Sequence, residues 1–305
     1  MTEFGIGLPG QSVADVRNAA EAAAPYAYDS FSVYGDLGDL PPYAVLHAVA
    51  DVLKGSRVRS IGPMGVPVGM QHHEVIGMHA LALEEQLPGQ SYVGLVRGAF
   101  LESIGEKPAS LATLENTLTS LRTKFQDVGE DIPIYVGGFG QRVLGLAGRL
   151  AVEGVKLGGS ANPVLAEKAK QRINNPHTKI VLGAVSVIDS DRKAARQLAR
   201  REVAKYLDVV GSLDTTLDPE ELASLASFVE RFRTGDPGAS DAISDSLLDK
   251  FAIAGTPEDA ITAVARMNGV VDRFEFGTPH GLHDRASAIH YIGQSIVNEL
   301  GEERI

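Results

Sequence analysis

Ile132-Pro133-Ile134-Tyr135-Val136-Gly137-Gly138-Phe139-Gly140-Gln141-Arg142-Val143-Leu144-Gly145-Leu146-Ala147-Gly148 reads as a buried strand that runs into a glycine cluster and emerges as a helix. β-Branched and aromatic residues from Ile132 to Val136 suit a pleated strand, and the apolar spacing from Gln141 to Leu150 suits a helix. Between them the side chains vanish. The backbone amides of Gly138 to Gln141 are then free to approach an anion at the positive end of the helix dipole. A tight turn packed closely on its neighbour uses the same glycines equally well, and both readings stay open at this point. A dinucleotide-binding Gly-x-Gly-x-x-Gly is excluded, because Val143 stands at its last position and the next strand ends in Leu157-Gly158-Gly159 with no carboxylate.

The same rhythm extends to both ends of the chain. Strands are expected near Phe4 to Leu8, Ser30 to Tyr34, Val58 to Ile61, Ser91 to Leu95, Ile132 to Val136, Gly154 to Leu157, Lys179 to Ser186 and Val271 to Phe276. Helices are expected at Ser12 to Ala24, Pro42 to Leu53, His73 to Gln86, Ser110 to Lys124, Gln141 to Leu150, Pro163 to Ile173, Asp191 to Leu207, Pro257 to Met267 and Arg285 to Leu300. Thr256-Pro257-Glu258-Asp259 carries a capping hydroxyl, an early proline and carboxylates where the helix dipole favours them. Eight strands joined by helices predict an α/β fold, a (β/α)8 TIM barrel over residues 1–305, with its site at the carboxyl ends of the strands. Residues 209–250 break the rhythm. They are acidic and helix-rich, follow the seventh strand, and are expected to form a helical insertion with Leu222, Leu225, Ala226 and Val229 on one apolar face.

Composition narrows the function. With 28 basic and 39 acidic residues the chain carries −11, and its cations are scattered, which disfavours nucleic acid and anionic membranes as partners. The absence of Cys removes disulfides, thiolate metal sites and Cys nucleophiles. The eight His form no ligand pattern, so no metal is expected, and no Ser lies in a Gly-x-Ser-x-Gly elbow. No apolar run is long enough to span a bilayer and the first residues do not read as a signal peptide, so a cytoplasmic location is expected.

The glycine turn and helix, followed by Glu153-Gly154-Val155-Lys156-Leu157-Gly158-Gly159-Ser160-Ala161-Asn162-Pro163, resemble the middle of the luciferase-like flavin and deazaflavin oxidoreductases. The methylenetetrahydromethanopterin reductase type, which uses coenzyme F420, is the nearest in flavour. Phe251 to Asp259 and Val271 to Gly281 resemble that family's closing helix, last strand and terminal glycine turn. Phe4-Gly5-Ile6-Gly7 and Arg57 to Val66 fit its first and third strands. The resemblance implies a luciferase-like barrel that binds F420, or alternatively FMN, with the coenzyme tail near the glycine turns and its ring over the barrel centre. Gly137, Gly138, Phe139, Gly140 and Gln141 match the tail turn, Gly158, Gly159 and Ser160 match the end of the following strand, and Gly65 and Val66 match a bulge that carries a non-proline cis peptide in the deazaflavin members.

Departures from the pattern bear on the substrate. Where the pterin-reducing members place a Glu in the first strand, this chain has Gly7-Leu8-Pro9-Gly10. At the second strand Asp36 stands for the acid of an Asp-His pair whose His is missing, and Asp36 is the candidate catalytic residue. His72, with His73 beside it, and His280 are candidate substrate contacts. Arg97 faces either an anionic tail or a surface carboxylate, His47 reads as a structural helix residue, and Glu84, Glu85 and Glu202 read as solvated charges. The implied activity is hydride transfer between the deazaflavin and a small organic substrate. An FMN-dependent monooxygenase and a non-catalytic barrel serving as a binding or partner subunit are the alternatives, and a homodimer is expected.

Overall fold

The computed structural model describes residues 2–35, 38–98, 101 and 104–302. Its strands are β1 (Glu3–Pro9), β2 (Ser30–Tyr34), β3 (Ile61–Pro63), β4 (Val66–Pro67), β5 (Val93–Val96), β6 (Ile134–Gly137), β7 (Gly154–Gly158), β8 (Lys179–Ile188), β9 (Ala252–Gly255) and β10 (Arg273–Gly277). All pair in parallel in the order β3-β2-β1-β10-β8-β7-β6-β5-β4, with β9 attached to β8 outside that path. A parallel bridge from Ile61 to Ser91, just ahead of β5, brings the two ends together. With β3 and β4 taken as one interrupted stave, the barrel has the eight staves expected.

Helices α1 (Val13–Ala23), α2 (Pro42–Leu53), α3 (His73–Gln86), α4 (Leu111–Val128), α5 (Gln141–Arg149), α6 (Pro163–Ile173) and α7 (Arg192–Val210) follow successive staves. Then come α8 (Pro219–Arg233), α9 (Asp245–Phe251), α10 (Pro257–Ala265), α11 (Arg285–Ile292) and the short α12 (Asn298–Glu302). Local chemistry sets the starts. Asp218 and Glu221 form a capping box around Pro219 on α8, and Thr256 and Asp259 form another around Pro257 on α10.

Alternation along the staves sorts the side chains into two layers. Phe4, Ile6, Leu8, Phe31, Val33, Val155, Leu157, Phe274 and Phe276 point outward into the core under the helices. Met64, Tyr92, Tyr135 and Val181 cluster inside the barrel. A separate core joins α7, α8 and α9 through Val203, Leu207, Phe228, Leu247 and Phe251.

Two expectations shift. The third strand is read at Val58 to Ile61 but lies at Ile61–Pro63 and resumes at Val66–Pro67 after a cis peptide between Met64 and Gly65. Gly62 is what admits Tyr92: a Cβ there would stand 2.4 Å from the Tyr92 carbonyl oxygen. The short strand β9 is absent from the sequence reading, because Ala252-Ile253-Ala254-Gly255 offers little β-branched signal.

Candidate functional site

The carboxyl ends of the staves form a mouth whose inner face is largely bare main chain. Gly7, Gly137, Gly158 and Gly277 occupy inward positions on β1, β6, β7 and β10. A Cβ at Gly158 would meet nothing within 4 Å, whereas one at Gly137 would press on Val96 Cγ1 at 2.7 Å and Met64 Cε at 3.3 Å. Tyr34 leans over the mouth from β2 and donates its hydroxyl to the Gly7 carbonyl at 3.1 Å. A side chain at Gly7 would begin 3.0 Å from the Tyr34 ring, with Glu275 Oε2 at 3.7 Å and Lys156 Nζ at 3.8 Å. A larger residue at Gly7 would therefore press on Tyr34 and on the Lys156–Glu275 pair.

Beneath the mouth lies a buried polar layer. Glu275 accepts from Ser30 Oγ at 3.0 Å, from Ser32 Oγ at 2.8 Å and from Lys156 Nζ, and Ser32 also meets the Tyr92 hydroxyl at 2.7 Å. Burial pushes the Glu275 carboxyl up, but Lys156 and Arg273 nearby, with the Lys156 and Ser32 hydrogen bonds, hold it below the ordinary carboxylate value. Arg273 in turn pairs with Glu3 at 2.9 Å and lies over the Tyr135 ring. Sequence reading missed this layer. Its one signal is a charged residue between apolar neighbours in Gly154–Gly158 and again in Arg273–Gly277, which reads equally as a solvent-facing position.

The glycine turn after β6 divides in two. Gly138, at φ +152, donates its N–H to the Lys156 carbonyl at 3.1 Å, so of the two readings the sequence leaves open its amide takes part in the tight turn. Phe139 and Gly140 lead into α5, whose N-cap Gly140 supplies no side-chain hydrogen bond. By contrast Ser12, Ser110, Asn162, Asp191, Thr256 and Asp284 all cap their helices. The first amides of α5, from Gln141 onward, thus keep donors for an outside acceptor. After β7 the N–H groups of Gly159 and Ser160 both reach the Gly183 carbonyl, at 2.6 and 3.0 Å, and Ser160 Oγ accepts from Asn162 N. Gly159 and Ser160 therefore shape the turn with their amides already spent. Gly65 and Val66 flank the split in the third stave, with the cis bond on the amino side of Gly65.

Asp36 lies outside the described residues. His72 caps α3, its Nδ1 accepting from Glu74 N at 3.3 Å, and His73 stands 3.8 Å from Glu74. His280 sits on the rim after β10 and meets Asp39 at 3.0 Å, tying that loop to the one after β2. Arg97 donates to the Ala109 carbonyl. His47 packs with Tyr43 and His79 and meets Gln86 at 3.1 Å. Glu202 corrects the sequence reading: only 5% of its side chain is exposed, and it accepts from Lys205 and from Gly281 N. Glu84 likewise holds a turn, through Gly89 N and Ser91 Oγ. Among the described residues no group of His, Asp and Glu is arranged to hold a metal ion, and no helix is long and apolar enough to cross a membrane.

No family model matches the sequence. It is 33% identical over 186 residues to 5,10-methylenetetrahydromethanopterin reductase of Archaeoglobus fulgidus, covering 55% of this chain and 54% of that protein. The Methanolobus tindarius protein of the same name is 30% identical over 185 residues, with 55% and 54% covered. About half of the chain is thus similar in sequence to methylenetetrahydromethanopterin reductases. The chain spans about half the length of the curated relatives it matches. In fold the likeness is end to end. The coenzyme F420 dependent tetrahydromethanopterin reductase of Methanopyrus kandleri superposes with a TM-score of 0.83 at 19% identity over 98% of this chain and 99% of that one. The oxygenating constituent of 3,6-diketocamphane monooxygenase from Pseudomonas putida, in complex with FMN, gives 0.68 at 14% over 98% and 99%. The barrel thus has the same fold as that reductase and that monooxygenase.

Proposed function

We propose that this protein is an F420-dependent oxidoreductase that moves a hydride between the deazaflavin and a small organic substrate. The observation that carries the reading is the glycine-lined mouth beside the uncapped α5, in a chain related to reductases of this type. A Cβ-free wall at Gly158 fits a planar ring, and the unpaired first amides of α5 fit a phosphate-bearing tail. Such a coenzyme supplies the hydride donor and acceptor, so the protein's task is to hold the ring, align the substrate and exclude water. In this reading Gly65, Val66, Gly137, Phe139, Gly140, Gln141 and Gly158 line the coenzyme site, with Gly138, Gly159 and Ser160 fixing its turns. His280 and His72 stand at the rim toward the substrate, and Asp36 remains the candidate acid. With Gly7 in place of a first-strand Glu, the substrate differs from the pterin of the reductases. A cytoplasmic homodimer completes the proposal.

The monooxygenase reading is favoured by one observation, the FMN-bound neighbour of the same fold. Titration of the protein with F420 and with FMN, followed by ring fluorescence, separates the two, and oxygen uptake during turnover checks the result. Micromolar binding of F420 with no oxygen consumed is expected. Tight FMN binding with oxygen uptake selects the monooxygenase, and binding of neither coenzyme selects the non-catalytic barrel. Sedimentation at working concentration is expected to give twice the chain mass of 32.3 kDa.

A further inference from the structure

Lys156 and Glu275 are the uppermost side chains on the inner faces of their staves. On β7 the inward positions run Gly154, Lys156, Gly158, and on β10 they run Arg273, Glu275, Gly277. Both columns end in glycine, and the space at Gly158, directly above Lys156, is open. From β1, Gly5 and Gly7 add no side chain to this layer. The side chains of Lys156 and Glu275 are only 8% and 3% exposed, so the charge pair is the floor of the mouth and not part of the outer surface.

The two partners are unequally satisfied. Glu275 accepts from two serine hydroxyls as well as from the lysine. An ammonium carries three donors. Lys156 gives one to Glu275 Oε2, and among the described residues no other acceptor takes the remaining two. The Tyr34 ring, 5.8 Å from Nζ, offers a π face. A pair that merely filled the interior would carry a desolvation cost that apolar side chains of similar volume avoid. Spare donors beneath the open space at Gly158 point instead to an acceptor that arrives from the mouth.

We propose that Lys156 is a ligand-contacting residue: its ammonium, anchored by Glu275, receives a carbonyl or anionic edge of the planar redox ring bound in the mouth. Lys156 thereby determines specificity for rings with an electron-rich edge, and Glu275 positions it. The inference rests on the oxidoreductase reading and deepens it.

The test titrates F420 and FMN into the full-length wild type, Glu275→Gln and the neutral double variant Lys156→Met/Glu275→Gln, with circular-dichroism melts alongside. The double variant removes both charges, so no uncompensated ion is left in the interior. It is expected to stay folded and to bind the ring at least about tenfold more weakly, the worth of one hydrogen bond from a charged donor. The absorption band of the bound ring is expected to return toward that of the free ring. Glu275→Gln, whose amide oxygen still accepts from Lys156 and holds it in place but no longer neutralises it, is expected to bind an anionic ring more tightly than wild type. A purely structural pair would lower the melting temperatures yet leave affinity and band position unchanged, which overturns the proposal while sparing the coenzyme reading. If the double variant does not fold, the direction of the change in Glu275→Gln decides alone, and unchanged or weaker binding overturns it. Wild type that binds neither coenzyme sinks the oxidoreductase reading and this inference together.

Discussion

A carboxylate at 2% exposure survives as an anion only if its neighbours outweigh the loss of water, and Glu275 is held below its ordinary 4.5 by Lys156 and Arg273 despite that burial. In the unfolded chain the same group takes its proton near 4.5. Its contribution to stability is therefore complete above that value and is lost as pH falls through the depressed folded value. Glu275→Gln is expected to cost about 3 kcal/mol at neutral pH, since it leaves Lys156 buried without its counter-charge. The gap between wild type and variant should close on acidification, so urea unfolding from about pH 7 to about pH 3 would show two curves converging. Parallel curves would mean that Glu275 takes its proton at the same pH in the folded and unfolded chain, and curves that diverge on acidification would mean that its folded value is raised. Neither partner advertised this role in the sequence. Lys156 and Glu275 stand 119 positions apart, and they meet only because the sheet order places β7 and β10 on either side of β8.

At the scale of elements, periodicity carried most of the fold. α6 begins and ends where proline and the apolar spacing put it, at Pro163 and Ile173, and β2 occupies Ser30–Tyr34 as read. The misplaced third strand shows the limit: Val58 has the β-branched look of a strand, while the true stave runs through Gly62 and Pro63, residues that punctuate a strand when seen without their neighbours. The glycine turn after β6 was legible as a turn. Which of its amides are spent was not, because the Gly138 N–H depends on the register between β6 and β7. Glycines inside α5 make the same point in a form that can be measured. Gly148 faces α6 so closely that a Cβ would stand 1.8 Å from the Ile173 carbonyl oxygen, whereas a Cβ at Gly145 would meet nothing within 4 Å. Gly148→Ala must push the two helices apart and is expected to destabilise by about 3 kcal/mol. Gly145→Ala adds helix propensity without contact and should stabilise by about 0.5–1 kcal/mol. Chemical denaturation of the two variants is expected to give midpoints on opposite sides of wild type, and a common direction would refute the close α5–α6 crossing.

For the whole molecule, the question is whether the two hydrophobic cores open together. The barrel core and the α7–α9 core are distinct clusters, the second resting on β8 and β9 through Val185, Val187, Ala252 and Ala254. Polar ties add to that seam. Arg196 bridges to Asp245 and Asp249, and Asn162, at the turn after β7, donates to Asp214 and Thr216 ahead of α8. The segment read from sequence as a helical insertion at 209–250 thus leans on the turn after β7. Phe228, fully buried on α8 with its ring tilted 31° to that of Phe232, is a large side chain in the second core. Phe228→Ala opens a cavity worth about 3–5 kcal/mol. If the second core is its own cooperative unit, that loss appears as local opening. Hydrogen exchange should accelerate in α8 and α9 and at the Ser160 to Asn162 turn, while β1, β2 and β10 keep wild-type protection. Exchange that rises equally in the barrel staves would show one cooperative unit, with the α7–α9 helices as an integral part of the barrel and not an addition to it.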